Sequence, residues 1–133
     1  MKQNEPFLNP RVIVIQKLYG HHLNKESEII FPNHRYKKFI KDVVNGTIER
    51  KDLIQELIDK ELNDNINYNK TELLIKLMIM AAIYEFMYMH KTPVKVIIGE
   101  YLKVSDSFVD ESQKSFLNAI LDKASKVSRI SNE

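Results

Sequence analysis

The chain has 133 residues, no cysteine and a net charge of only +2. The missing cysteine excludes disulfides and thiolate catalysis and fits a reducing, cytoplasmic setting. The length suits one domain able to bury an ordinary core. Three glycines and four prolines are too few for the turns of a many-stranded β fold, and the glycines are too scattered for a phosphate-binding loop.

The opening segment, MKQNEPFLNP, lacks the apolar core of a signal peptide. Asn9-Pro10 reads as an N-cap followed by proline at the first helical position. It predicts a first helix that continues through Leu23 and is apolar on more than one face, as inside a bundle. Residues 24–33 read as a loop. A second helix is predicted over 34–45, with Tyr36, Phe39, Ile40, Val43 and Val44 at helical spacing and Gly46 as its C-terminal stop. A third is predicted over 48–62, with Leu53, Ile54, Leu57, Ile58 and Leu62 inward. The Asn- and Asp-rich stretch 63–70 is the clearest linker. It divides a single domain, 1–133, into helical subdomains at roughly 9–62 and 71–128.

Thr71 is a candidate cap for the fourth helix. The apolar run over 73–89 is 17 residues long and carries Lys76 and Glu85. A membrane span wants about 20 residues with few or no charges, so the run reads as a buried helix with contacts on most sides. Thr92-Pro93 opens a fifth helix whose stripe is Val94, Ile97, Ile98, Tyr101, Leu102 and Ser105. A sixth, capped by Asp110 or Ser112, turns Phe116, Leu117, Ile120, Leu121, Ala124 and Val127 inward. The architecture expected is all-α: two small helical bundles packed together.

Charge is unevenly spread. Residues 1–41 hold eight Lys/Arg against three Glu, with three of the four His, whereas 71–133 balance at eight each. A basic first third suits an anionic partner such as nucleic acid, and equally an ordinary solvated surface. The segment NHRYKKFIK, 33–41, interleaves bases with aromatics as a base-stacking surface does, but its core spacing favours a structural role. His21 and His22 diverge by about 100° on a helix and cannot chelate together; no metal or cofactor is expected, and no catalytic set stands out. Glu85 lies near the C-terminal end of its helix, where the dipole disfavours an acid. It therefore calls for a partner, either an internal base or another protein. Gln16 and Tyr19 share a face of the first helix, with Arg11 near its start. On the last helix Ser115, Asn118, Asp122 and Ser125 form the polar side, flanked by Lys114 and Lys123. Such side chains can read or stack on single-stranded RNA.

Four segments together resemble the bacterial NusB family of transcription antitermination factors. Residues 11–19, RVIVIQKLY, are similar to its R-x-x-A-x-Q-x-L-Y opening. Residues 82–86, AIYEF, resemble ALYEL; 95–102 resemble KVxINEAVEL; and 116–123, FLNAILDK, resemble FVNGVLDK. The resemblance implies a NusB-like all-helical fold and a non-enzymatic role. It further implies binding of boxA-like single-stranded RNA with NusE, a small-subunit ribosomal protein, in an RNA polymerase antitermination complex on ribosomal RNA operons. By motif match the RNA contacts would be Lys2, Arg11, Gln16, Tyr19, Phe116, Asn118 and Lys123, and the NusE face would include Tyr84 and Glu85. NusB-like proteins occur as monomers or homodimers. The chain departs from the family pattern at Met80, Ile75 and Gly99, where arginine, glutamate and asparagine are usual. Its first ten residues also offer only Lys2 in place of an arginine-rich arm. Those departures leave a second reading, a protein–protein adaptor with weak or lost RNA binding. NusB-like domains also precede some RNA cytosine methyltransferases, but no glycine-rich cofactor loop and no cysteine are present here to support that chemistry.

Overall fold

In the computed structural model the described residues are 8–62 and 71–129. They form six α-helices and no strand: α1 (Pro10–Leu23), α2 (Lys37–Glu49), α3 (Lys51–Glu61), α4 (Leu73–Tyr88), α5 (Val94–Ser105) and α6 (Glu111–Ser128). Lys2 and the expected linker 63–70 lie outside the described residues. No helix among those described is long and apolar enough to cross a membrane.

The all-round apolar character of α4 has a direct structural reason. It packs against every one of the other five helices, so Ile75, Met78, Ile79, Ala82, Ile83 and Phe86 all leave solvent. α1 lies against α2, α4 and α5, while α6 lies against α3, α4 and α5. The core is thus built around one helix that offers no polar face.

Local signals set the helix starts. Asn9 Oδ1 accepts the Arg11 backbone N–H at 2.8 Å, and Pro10 occupies the first helical position. At α6, Asp110 Oδ1 accepts the Gln113 N–H at 2.9 Å while Gln113 Oε1 accepts the Asp110 N–H at 3.1 Å, a complete capping box. The Gln113 backbone bond, then the Ser112 hydroxyl, hold the Asp110 carboxyl below its ordinary range. Before α2, His34 Nδ1 accepts the Tyr36 N–H at 2.9 Å. Its other nitrogen therefore carries the proton and donates to the Leu8 carbonyl at 2.8 Å.

Several sequence expectations are corrected. Helix α2 does not stop at Gly46 but runs through it to Glu49, and α3 begins only at Lys51. No glycine in the described chain has positive φ, so Gly46 does not act as a left-handed cap. Its role is close packing: a Cβ there would sit 2.2 Å from Cζ of Tyr84. The N-cap of α4 is Glu72, not Thr71, and has no side-chain cap bond. Tyr36 and Leu53, expected inward, are exposed, because the buried stripes of α2 and α3 are Ile40, Val43 and Val44, and Ile54 and Ile58, instead.

Candidate nucleic-acid interface

The residues expected to act together divide into an interior group and a surface group. Arg11 and Glu85 belong to the interior. Arg11 Nε and Nη2 donate to the two carboxylate oxygens of Glu85 at 2.9 and 2.6 Å, and the Glu85 residue is 0% exposed. Tyr101 donates its hydroxyl proton to Glu85 Oε2 at 2.6 Å. The Arg11 guanidinium lies 4.7 Å from the ring centroid of Phe39 and 5.6 Å from that of Tyr101. One polar cluster thus ties α1, α2, α4 and α5 together. Burial alone would lower the Arg11 pKa, but the hydrogen bond and charge of Glu85 more than offset it, so the guanidinium stays charged. Burial, then the Glu85 charge, push the Tyr101 phenol well above its ordinary value. Arg11 as an RNA contact and Glu85 as a partner contact do not fit this geometry, because both are consumed inside the fold.

The surface group starts on α1. With Ile13, Val14, Ile15 and Leu18 turned inward, Gln16 and Tyr19 are left outward, Tyr19 39% exposed. They rim an open cleft of about 470 Å³ with Leu73 and Leu74 of α4 and Phe108 from the α5–α6 turn. Glu72 is the acid on the same rim. Aromatic and aliphatic walls beside an amide side chain suit a splayed-out base. On α6, Asn118 is exposed, Lys123 is half-buried, and Phe116 is half-buried against the core. α1 and α6 share α4 and α5 as packing neighbours, so these two sets stand on separate helices joined through α4 and α5.

Tyr84 is half-buried, its ring filling the space above Gly46. Its ring centroid is 5.0 Å from that of Tyr88, over which the Arg50 guanidinium lies at 4.5 Å. Tyr88 remains exposed beside it. Nothing in the linear sequence singles out Phe108, Arg50 or Tyr88, since each matters only through neighbours on another helix. Near α2, the Arg35 guanidinium lies 5.3 Å from the exposed ring of Tyr36.

Six helices packed around a central apolar one, with a tyrosine and a glutamine displayed on the first, define an all-α helical-bundle class. Its fold matches that of T. maritima NusB with a TM-score of 0.75, at 21% identity and covering 88% of each chain. The model of the NusB family matches residues 8–126, and the chain belongs to that family. A transcription antitermination protein NusB from Bradyrhizobium diazoefficiens is 30% identical over 63% of this chain and 51% of its own length. One from Mesorhizobium japonicum is 25% identical over 78% of this chain and 67% of its own. One from Thermodesulfovibrio yellowstonii is 30% identical over 71% and 62%. The chain thus spans about half to two thirds of the length of these relatives.

Proposed function

We propose that the protein is a non-catalytic, cytoplasmic transcription antitermination factor. It binds boxA-like single-stranded RNA jointly with NusE, and within the antitermination complex on RNA polymerase it supports transcription of ribosomal RNA operons. The observation that carries this reading is the α1 surface. In a NusB-family chain, Gln16 and Tyr19 stand exposed beside an open, partly apolar cleft while Ile13, Val14, Ile15 and Leu18 of the same helix are buried. Tyr19 supplies the stacking platform, Gln16 the base-edge hydrogen bonds, and Phe108 and Leu74 the opposite wall. Lys2, Asn118 and Lys123 extend the contact to the backbone, with Phe116 beside them on α6. NusE meets the Tyr84–Tyr88–Arg50 surface, where two rings and a guanidinium form the kind of rim that anchors protein contacts.

Fluorescence anisotropy with a boxA-like RNA, over a salt series with and without NusE, tests this. Binding tightens with NusE, and its logarithm falls with the logarithm of salt by about 0.7 per phosphate contact. No NusE-dependent gain at any salt would sink the proposal. Mass in solution with and without RNA tells monomer from homodimer, and whether dimerisation covers the α1 face.

One observation favours the second reading, an adaptor with weak RNA binding. Arg11 is sealed in an ion pair, and the acid Glu72 shares the α1 cleft. Capture of NusE with no RNA-dependent anisotropy change would establish it.

A further inference from the structure

A second cleft, of about 300 Å³, lies on the other side of the α4 start. It opens between the C-terminal end of α1, the α2–α3 corner and the first turns of α4. Its volume is at the lower end of small-molecule sites. The floor is aliphatic, made by Leu18, Ile48, Leu77 and Met80. The rim is basic, with Lys25, Lys51 and Lys76 beside His21 and His22, and among the described residues no Asp or Glu lines it. Neither Lys25 nor Lys51 takes part in an ion pair among the described residues. Two polar atoms in the wall have no hydrogen-bond partner: Oγ1 of Thr47 and Nδ1 of His21. Thr47 is 2% exposed. Buried side-chain polar atoms without a partner are uncommon in native proteins, and each asks for an explanation. Here two of them belong to residues of one cleft whose charges, among the described residues, are all positive.

We propose that this cleft binds a phosphate monoester of a small apolar or aromatic group. The dianionic phosphate sits among Lys25, Lys51 and His21 and accepts hydrogen bonds from them. The apolar body lies on Leu18, Leu77 and Met80, and an ester or phosphoryl oxygen accepts a hydrogen bond from the Thr47 hydroxyl. Lysine ammonium groups suit phosphate as point charges. The aliphatic floor selects an ester over the inorganic ion, which has no surface to bury there. Two sources present this chemistry, a free metabolite-sized ester and the 5′-phosphorylated terminal nucleotide of an RNA.

Amide chemical-shift titration of the full chain with phenyl phosphate is the test. Saturable shifts are expected at Thr47, Ile48, Lys51 and Leu77, with phenol and inorganic phosphate each at least tenfold weaker. Lys25→Ala/Lys51→Ala, both at exposed positions, lowers affinity at least tenfold while the circular-dichroism spectrum is unchanged. Thr47→Val removes the orphan hydroxyl at nearly constant shape, so the ligand-free protein melts higher while affinity falls at least threefold. An RNA that displaces phenyl phosphate only when 5′-phosphorylated identifies the terminal nucleotide as the source; displacement by neither RNA form identifies the free ester. Absent saturation, shifts unaltered in the double lysine variant, or a Thr47→Val variant that melts higher with full affinity would each overturn the proposal.

Discussion

Glu85 receives both Nε and Nη2 of Arg11, at 2.9 and 2.6 Å, from a position wholly out of solvent. A buried pair of this kind contributes little relative to apolar residues of the same shape, yet removing one partner leaves a charge stranded, at a cost of about 3–5 kcal/mol. Arg11→Met therefore destabilises the fold by about that amount. Arg11→Met/Glu85→Met recovers most of the loss. Urea denaturation of the two single variants and the double variant gives the coupling energy directly; additivity within ~0.5 kcal/mol would mean that the pair does not act as a unit.

Tyr101 completes that cluster and gives it a pH dependence. A free tyrosine ionises near pH 10; burial first, and the Glu85 charge next, push Tyr101 well above that. Above pH ~10 the unfolded chain releases a proton that the native state still holds. The folded-state pKa is raised, so the contribution is complete below the unfolded value and declines as pH rises past it, by up to ~1.4 kcal/mol per pH unit. Tyr101→Phe is less stable at pH 7, because Glu85 loses a donor, but lacks this decline. The stability gap between the two proteins is thus expected to narrow from pH 9 to 11. A gap that stays constant would mean that Tyr101 ionises freely in the fold.

Two glycines inside helices predict opposite outcomes for the same substitution. At Gly99 nothing lies within 4 Å of an added Cβ, so Gly99→Ala raises stability by up to ~1 kcal/mol through helix propensity alone. At Gly46 the added Cβ would strike the Tyr84 ring, with Cζ at 2.2 Å and Oη at 2.5 Å. Overpacking costs about 1–3 kcal/mol and outweighs the propensity gain. In a Tyr84→Ala background the obstacle is gone, and Gly46→Ala becomes neutral or stabilising. Thermal melts of the four proteins check the sign at each site.

These cases show which features could be read along the chain. Asn9-Pro10 announces its helix, and Asp110 is one of two caps that the sequence offers for α6, because capping bonds join residues within one turn. The burial of α4 was legible because a helix with no polar face must be surrounded. Gly46 misled, since its partner Tyr84 is on another helix and a glycine looks the same as a stop or as a close-packing site. The α1 motif placed Arg11 among RNA contacts. The misplaced acid Glu85 had already called for either an internal base or another protein, and only the α1–α4 packing shows the base to be Arg11. The basic cleft at Thr47 combines residues from four helices and their connections, none unusual by itself.

Arg129 had no sequence signal because its partners are backbone atoms. Nε donates to the Phe86 carbonyl at 2.8 Å, Nη1 to that of Thr92 at 2.7 Å, and Nη2 to those of Glu85 and Met89 at 3.1 and 3.0 Å. Those carbonyls end α4 and lead into α5, where a cation also meets the negative end of the helix dipole. Arg129→Met leaves several half-buried carbonyls short of donors and is expected to cost about 2–4 kcal/mol. Lys at this position restores the charge but not the fork, and recovers less than half of it. Equal melting of the Met and Lys variants would assign the effect to geometry alone; a Met variant as stable as the natural chain would show the clamp to be incidental.

Tyr19 carries the final prediction, because it separates RNA binding from folding. The residue is 39% exposed and rims the α1 cleft, while the buried anchors of α1 are Ile13, Val14, Ile15 and Leu18. Loss of one base stack is worth about 1–3 kcal/mol. Tyr19→Ala should therefore weaken binding of boxA-like RNA by roughly 5- to 150-fold and lower stability by less than ~1 kcal/mol. The salt slope is unchanged, because stacking releases no counterions. Tyr19→Phe keeps the ring and retains most of the affinity. A flattened salt slope would point to displaced phosphate contacts elsewhere. A melting temperature that falls sharply with unchanged RNA affinity would make Tyr19 a packing residue and remove the stacking platform from the proposed interface.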